Sequence, residues 1–170
     1  ILLIMIYWFT GQPCAGKTTL AKLLQYELGD TPFMIDGDDM RDLFSNKDYS
    51  IKGRVENVGT AQRIAHYLHN QGKDVIVSLV SPYIDQREDF KKLLGDNIKE
   101  IYVHTSEARE RDHFAAVAYV APKENFIDID TTSDSPKKSI DKILNEIDIK
   151  KNVVGSLLDE LPPEDYQLDN

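Results

Sequence analysis

Apolar runs alternate with amphipathic stretches along this chain. Residues 1–9 are unbroken in apolar or aromatic character and carry no charge, the pattern of a strand buried on both faces of a parallel sheet. Shorter runs recur at 33–35, 75–80, 98–104 and 126–130, each bounded by polar or turn-forming residues. Helical spacing fills the intervals. Leu20, Leu23, Leu24 and Leu28 share one face and stop at Gly29-Asp30, and residues 40–44 read as a short helix. The stretch 54–71 carries a stripe of Val55, Val58, Ala61, Ile64, Ala65 and Leu68 that ends at Gly72, after a polar loop over 45–53. Two more helices are expected at 85–94, with Phe90, Leu93 and Leu94 inward, and at 135–147, with Ile140, Ile143, Leu144 and Ile147. Strands alternating with helices predict an α/β fold built on a parallel five-stranded sheet. Residues 1–150 form the expected domain, and 151–170 form an acidic tail.

Between the first strand and the first helix lies Gly11-Gln12-Pro13-Cys14-Ala15-Gly16-Lys17-Thr18-Thr19, which fits G-x-x-x-x-G-K-[ST] at every fixed position. Strand, glycine loop and helix in that order make a phosphate cradle: backbone N–H groups and the positive end of a helix face the phosphate oxygens. Lys17 supplies a point charge for the β and γ phosphates, and the Thr18 hydroxyl is placed to ligate Mg²⁺. ATP and Mg²⁺ are therefore the expected cofactors. Cys14 stands where small residues usually serve; it reads as a space-filler, with a thiolate favoured by the helix N-terminus as the alternative.

The second strand runs into Asp36-Gly37-Asp38-Asp39. Ligands of open α/β sheets bind at the carboxyl ends of the strands, which puts Asp36 and Asp38 on the rim that holds the phosphate loop. Their expected work is metal and proton handling, with helix capping left to Asp39 or Asp38. His66 and His69 lack a partner acid or thiol at ligand spacing and read as surface or boundary residues.

Charge narrows the partners. The net charge of −9 disfavours a nucleic-acid groove; five acids between 159 and 169 account for part of it, leaving −4 elsewhere. A single cysteine excludes an internal disulfide, and no apolar run is long enough to span a bilayer. A cytoplasmic protein without a membrane or nucleic-acid partner is expected, acting on a small nucleotide, with a homodimer as the candidate assembly.

Taken in order, these residues resemble the adenylylsulfate kinases, P-loop enzymes that phosphorylate the ribose 3′-hydroxyl of adenylyl sulfate with ATP. The resemblance spans about Trp8 to Leu144. It rests on 11–19, on Ile35-Asp36-Gly37-Asp38-Asp39-Met40-Arg41, on Tyr49-Ser50 with Arg54-Val55-Glu56-Asn57, on Val80-Ser81-Pro82-Tyr83, and on Ile101-Tyr102-Val103, Arg111-Asp112 and Ile129-Asp130-Thr131. It implies a three-layer αβα sandwich of the P-loop NTPase class with a short lid at about 106–125. It also implies that Arg41, Arg54 and Asn57 hold the anhydride of the acceptor, that Tyr49 stacks on its base, that Ser81 belongs to the acceptor loop, and that Lys17, Asp36 and Asp38 are catalytic. Arginine suits such a role because its planar fork makes bidentate contacts to oxyanions.

The chain departs from the family at Tyr49, where Phe is usual, and at Gly53, where Asp is usual. After Arg111-Asp112 it has His113-Phe114-Ala115-Ala116 in place of a basic K-G-L-Y stretch, and its lid lacks an F-T-G-I-D run. A cytidine diphosphoramidate kinase, which performs the same reaction on another base, is therefore the alternative. From other classes, an NTP-hydrolysing switch is opposed by Asn46-Lys47-Asp48-Tyr49, which lacks the acid of a guanine-reading motif. A polynucleotide kinase is opposed by the acidic balance, and a non-catalytic nucleotide-binding module is supported by the short lid alone.

Overall fold

The computed structural model describes residues 4–29, 31–107 and 115–147. Five strands, β1 (Ile6–Thr10), β2 (Phe33–Asp36), β3 (Val75–Ser78), β4 (Ile98–His104) and β5 (Phe126–Asp130), form one sheet in the order β2-β3-β1-β4-β5 with every pairing parallel. The helices are α1 (Lys17–Glu27), α2 (Gly37–Leu43), α3 (Ile51–Asn70), α4 (Ile84–Leu94) and α5 (Pro136–Glu146), and a 3-10 turn at Gly95–Asn97 leads into β4. The acidic tail, lid residues 108–114 and Ile1 to Leu3 lie outside the described residues.

Side-chain parity divides the core in two. Tyr7, Phe9, Ile76, Ile101, Val103 and Ile129 point to one face and pack with Leu20, Leu24, Ile140, Ile143 and Leu144 of α1 and α5. Ile6, Trp8, Val75 and Val77 point to the other and pack with Val58, Ala61 and Ala65 of α3 and with Phe90 and Leu94 of α4. Helices on both faces are what the continuous apolar character of the central strands required. Burial of Tyr7 in this core, with a lesser push from Asp74, raises its hydroxyl pKa to about 12.

Three boundaries differ from the pattern reading. β3 ends at Ser78, and Leu79-Val80 already leave the sheet toward the rim. α2 begins at Gly37 and not at residue 40, because the Asp36 side chain caps it by accepting the Asp38 N–H. α3 begins at Ile51, one turn before Arg54, because Ser50 accepts the Gly53 N–H at 3.3 Å and starts the helix inside the expected loop.

Candidate active site

The phosphate loop leaves β1 at the carboxyl rim and curls through left-handed backbone at Cys14 (φ 58) and Gly16 (φ 103). Gly11 is irreplaceable on steric grounds: a Cβ there would meet the Val103 carbonyl oxygen at 2.0 Å. Cys14 adopts its left-handed turn with a side chain that disfavours it, at a cost of about 1 kcal/mol. At its far end the loop is tied to the sheet by the Thr131 hydroxyl, which donates to the Ala15 carbonyl at 2.7 Å.

Lys17, the first residue of α1, is 8% exposed, and its ammonium donates to the Gln12 carbonyl at 2.7 Å. The charge is thereby folded over the cradle it serves. Thr18 follows on the same helix and donates its hydroxyl to Asp36 Oδ2 at 2.8 Å, and the Ser78 hydroxyl lies 3.1 Å from the Thr18 hydroxyl. The other Asp36 oxygen accepts the Asp38 N–H at 2.9 Å. Asp36 is thus the residue that caps α2, a duty the sequence reading gave to Asp38 or Asp39. That assignment is corrected because Asp36, in extended backbone (φ −104, ψ 144), holds the N-cap position, while Asp38 and Asp39 already lie inside the first turn of α2. Asp38 stands exposed in that turn.

These oxygen donors fit a magnesium ion. Mg²⁺ takes hard oxygen ligands, keeps several waters and leans on substrate phosphates, so one hydroxyl and one carboxylate are a sufficient protein contribution. Among the described residues there is no cluster of three or more His, Cys, Asp or Glu that could hold a metal ion.

Where α2 leads into α3, Arg41, Tyr49 and Arg54 converge. The Arg41 guanidinium lies 4.1 Å from the centre of the Tyr49 ring and that of Arg54 5.7 Å, and Arg54 Nε donates to the Tyr49 carbonyl at 3.0 Å. Arg41 is only 7% exposed; it donates to the carbonyls of Asn46 at 3.1 Å and Asp48 at 2.9 Å, so it pins the 46–49 loop. Burial, partly offset by Tyr49 and reinforced by Arg54, lowers its pKa from the ordinary arginine value. Asn57, on the inner face of α3, donates to the Gly37 carbonyl at 3.4 Å and so faces the turn between Asp36 and Asp38. An open cavity of about 370 Å³ lies beside this cluster, lined by Phe44, Asn46, Glu56, Asn57 and Thr60 among others. Ser81 has left-handed backbone (φ 45) and is buried, its hydroxyl accepting the Trp8 indole N–H at 3.1 Å. The structure thus turns its side chain toward the core and leaves the loop backbone at the rim.

The model of the family described as adenylylsulphate kinase matches residues 4–141. This chain belongs to that family. The adenylyl-sulfate kinase of Pseudomonas aeruginosa is 31% identical over 166 residues, covering 84% of this chain and 85% of that protein. That of Clostridium acetobutylicum is 28% identical over 164 residues, covering 92% and 82%. In fold, the chain superposes on the Mycobacterium tuberculosis APS kinase in complex with AMPPNP and APS with a TM-score of 0.74 at 21% identity, over 88% of this chain and 100% of that one. The adenylylsulphate kinase family is one of ATP-dependent enzymes that phosphorylate a hydroxyl, and the phosphate loop and the acids on its rim are the parts such an enzyme needs. Among the described residues no helix is long and apolar enough to cross a membrane.

Several members of the site were not read from the sequence. Ser78 sets a second hydroxyl beside that of Thr18, and Thr10, Tyr119, Arg87 and Glu100 buttress the loops behind it. Glu100 alone carried a signal: it shares strand parity with buried Ile98, and a carboxylate on a buried face demands a partner.

Proposed function

We propose that this chain transfers the γ-phosphoryl group of ATP to the ribose 3′-hydroxyl of adenylyl sulfate. The observation that carries the reading is the Thr18–Asp36 contact at 2.8 Å, which joins the phosphate loop to the acids at the mouth of β2. Lys17 neutralises charge that develops on the transferring group, and the loop N–H groups hold the phosphates in line. Thr18 and Asp36 would hold Mg²⁺, which would supply positive charge against the phosphates. Asp38, exposed at the start of α2, is placed to receive the proton of the attacking hydroxyl. Arg54, Asn57 and the Arg41-braced Tyr49 loop form the acceptor wall, where an anionic anhydride meets guanidinium groups and a base meets an aromatic ring.

The relatives quoted above are adenylyl-sulfate kinases, which favours adenylyl sulfate over the cytidine nucleotide that the short lid suggested. An aromatic ring such as Tyr49 stacks on any base, so the choice of adenine rests on the relatives. A coupled assay of ADP release tests the proposal. Release that depends on adenylyl sulfate is expected; release equal with and without acceptor would return the protein to a simple NTP hydrolase.

A further inference from the structure

Behind the acceptor wall, the Arg87 guanidinium is engaged at all three nitrogens. On α4 and 2% exposed, it donates from Nε to Glu100 Oε1 at 2.7 Å, from Nη1 to the Ser81 carbonyl at 2.5 Å and from Nη2 to the Val120 carbonyl at 2.5 Å. Glu100, also 2% exposed, accepts from Lys91 with its other oxygen at 2.6 Å. A buried ion pair needs only the first of these contacts. The other two close one rigid fork on backbone carbonyls from separate segments, the loop after β3 and the arm at 115–120 that enters from the lid.

The same segments are tied elsewhere. The Val120 N–H donates to the Pro82 carbonyl at 3.0 Å, and the Tyr119 ring lies 5.4 Å from the Arg87 guanidinium. Thr10, the residue before the phosphate loop, has its hydroxyl 2.9 Å from the Val80 carbonyl and 3.0 Å from the Tyr119 hydroxyl. Gln12, inside that loop, uses its side-chain amide twice on Ala116, donating to its carbonyl at 3.0 Å and accepting its N–H at 2.9 Å. One short arm is therefore bonded to the phosphate loop at its start and to the loop after β3 at its end.

We propose that Arg87 is a positioning residue that locks the loop after β3 to the 116–120 arm, so that a nucleotide seated in the phosphate loop changes the placement of the acceptor loop. The linkage is independent of which acceptor is used; only the choice of adenylyl sulfate as a probe rests on the proposed function. Lysine at this position keeps the charge that Glu100 requires but loses the planar fork that spans two carbonyls. Tyr119→Phe removes a single hydroxyl contact, to Thr10, and leaves the Arg87 contacts in place.

The chain has one tryptophan, and its indole N–H bonds to Ser81 Oγ at 3.1 Å, so that single resonance reports on the acceptor loop. Titration of isotope-labelled protein with Mg²⁺ and a non-hydrolysable ATP analogue should move the indole N–H resonance in the wild type. In Arg87→Lys and in Tyr119→Phe the shift should fall by half or more. An unchanged shift in Tyr119→Phe, and in Arg87→Lys where that variant folds, overturns the proposal. In the second arm, the analogue should tighten adenylyl sulfate binding by about tenfold in the wild type, and Arg87→Lys should bring that ratio toward one. Equal weakening with and without the analogue marks plain structural support and also overturns it. A wild type that binds no adenylyl sulfate refutes the acceptor assignment instead, and the indole titration still decides the role of Arg87.

Discussion

Gly53 lies in the first turn of α3, where a glycine should be a liability. Replacing a helical glycine with alanine ordinarily gains about 1 kcal/mol from backbone entropy. Here a Cβ would meet the Asp48 carbonyl oxygen at 2.1 Å, Asp48 Cγ at 2.5 Å and Asp48 Cβ at 2.6 Å. Ordinary contact begins near 3.4 Å, so the Asp48 backbone would have to retreat by more than an ångström. That movement breaks the 2.9 Å bond from Arg41 to the Asp48 carbonyl and strains the 3.1 Å bond from Asn46 to the Gly53 carbonyl. The first is a charged hydrogen bond worth about 1.5–3 kcal/mol and the second a neutral one worth about 0.5–1.5 kcal/mol. Set against the propensity gain, Gly53→Ala should be destabilised by roughly 1–3 kcal/mol. Gly59, one and a half turns further along α3, is the control: its Cβ would meet only the flexible ends of Arg63 at 3.4 Å and Gln86 at 3.6 Å. Gly59→Ala should therefore be as stable as the wild type or more so. Urea unfolding of both variants gives the comparison, and the loop displacement should raise the KM for the acceptor while leaving that for ATP unchanged. A Gly53→Ala protein that gains stability like Gly59→Ala would refute the close packing of the 46–49 loop on α3.

Three other outcomes are expected. Lys17→Ala should fold and lose turnover by a factor on the order of a hundred or more, measured as acceptor-dependent ADP release, because charge stabilisation at a transferring phosphate is lost. Asp36→Asn and Asp38→Asn should each lower kcat about a hundredfold or more; Asp36→Asn should in addition raise the Mg²⁺ concentration needed for half-maximal activity, since Asp36 contacts Thr18. Saturating MgATP should protect Cys14 from alkylation, and Cys14→Gly should remain active and gain stability from relief of its left-handed backbone; equal labelling with and without nucleotide would argue against its place in the cradle.

What could be read in advance follows from the range of the forces involved. Strands covered by helices on both faces are mostly apolar, so β1 and β3 announce themselves, and the phosphate loop is a local motif whose strand and helix are its immediate neighbours. The start of α3 was missed because Ser50 sits among polar residues and Gly53 looks like a breaker; its tolerance depends on Asp48, which reaches it through a turn that no periodicity encodes. The capping role of Asp36 was hidden among neighbouring acids of equal chemistry, and only the direction of the strand end chooses between them. Arg87 and Glu100 are a tertiary pair on different elements, so the polar run around Arg87 reads as a solvated helix face although it is buried. Arg41 stands out in the sequence as an arginine beside the acids at the end of β2, yet its packing on Tyr49 and on two loop carbonyls is legible only in three dimensions.

The central claim is phosphoryl transfer to the ribose of a nucleotide anhydride, and the direct measurement is the position of the new phosphate. Purified protein incubated with MgATP and adenylyl sulfate should yield ADP and a product whose phosphorus NMR spectrum shows a phosphomonoester coupled to the ribose 3′-proton. Lys17→Ala in the same reaction should yield neither. ADP accompanied only by inorganic phosphate, or a phosphate on any other position, would contradict the account.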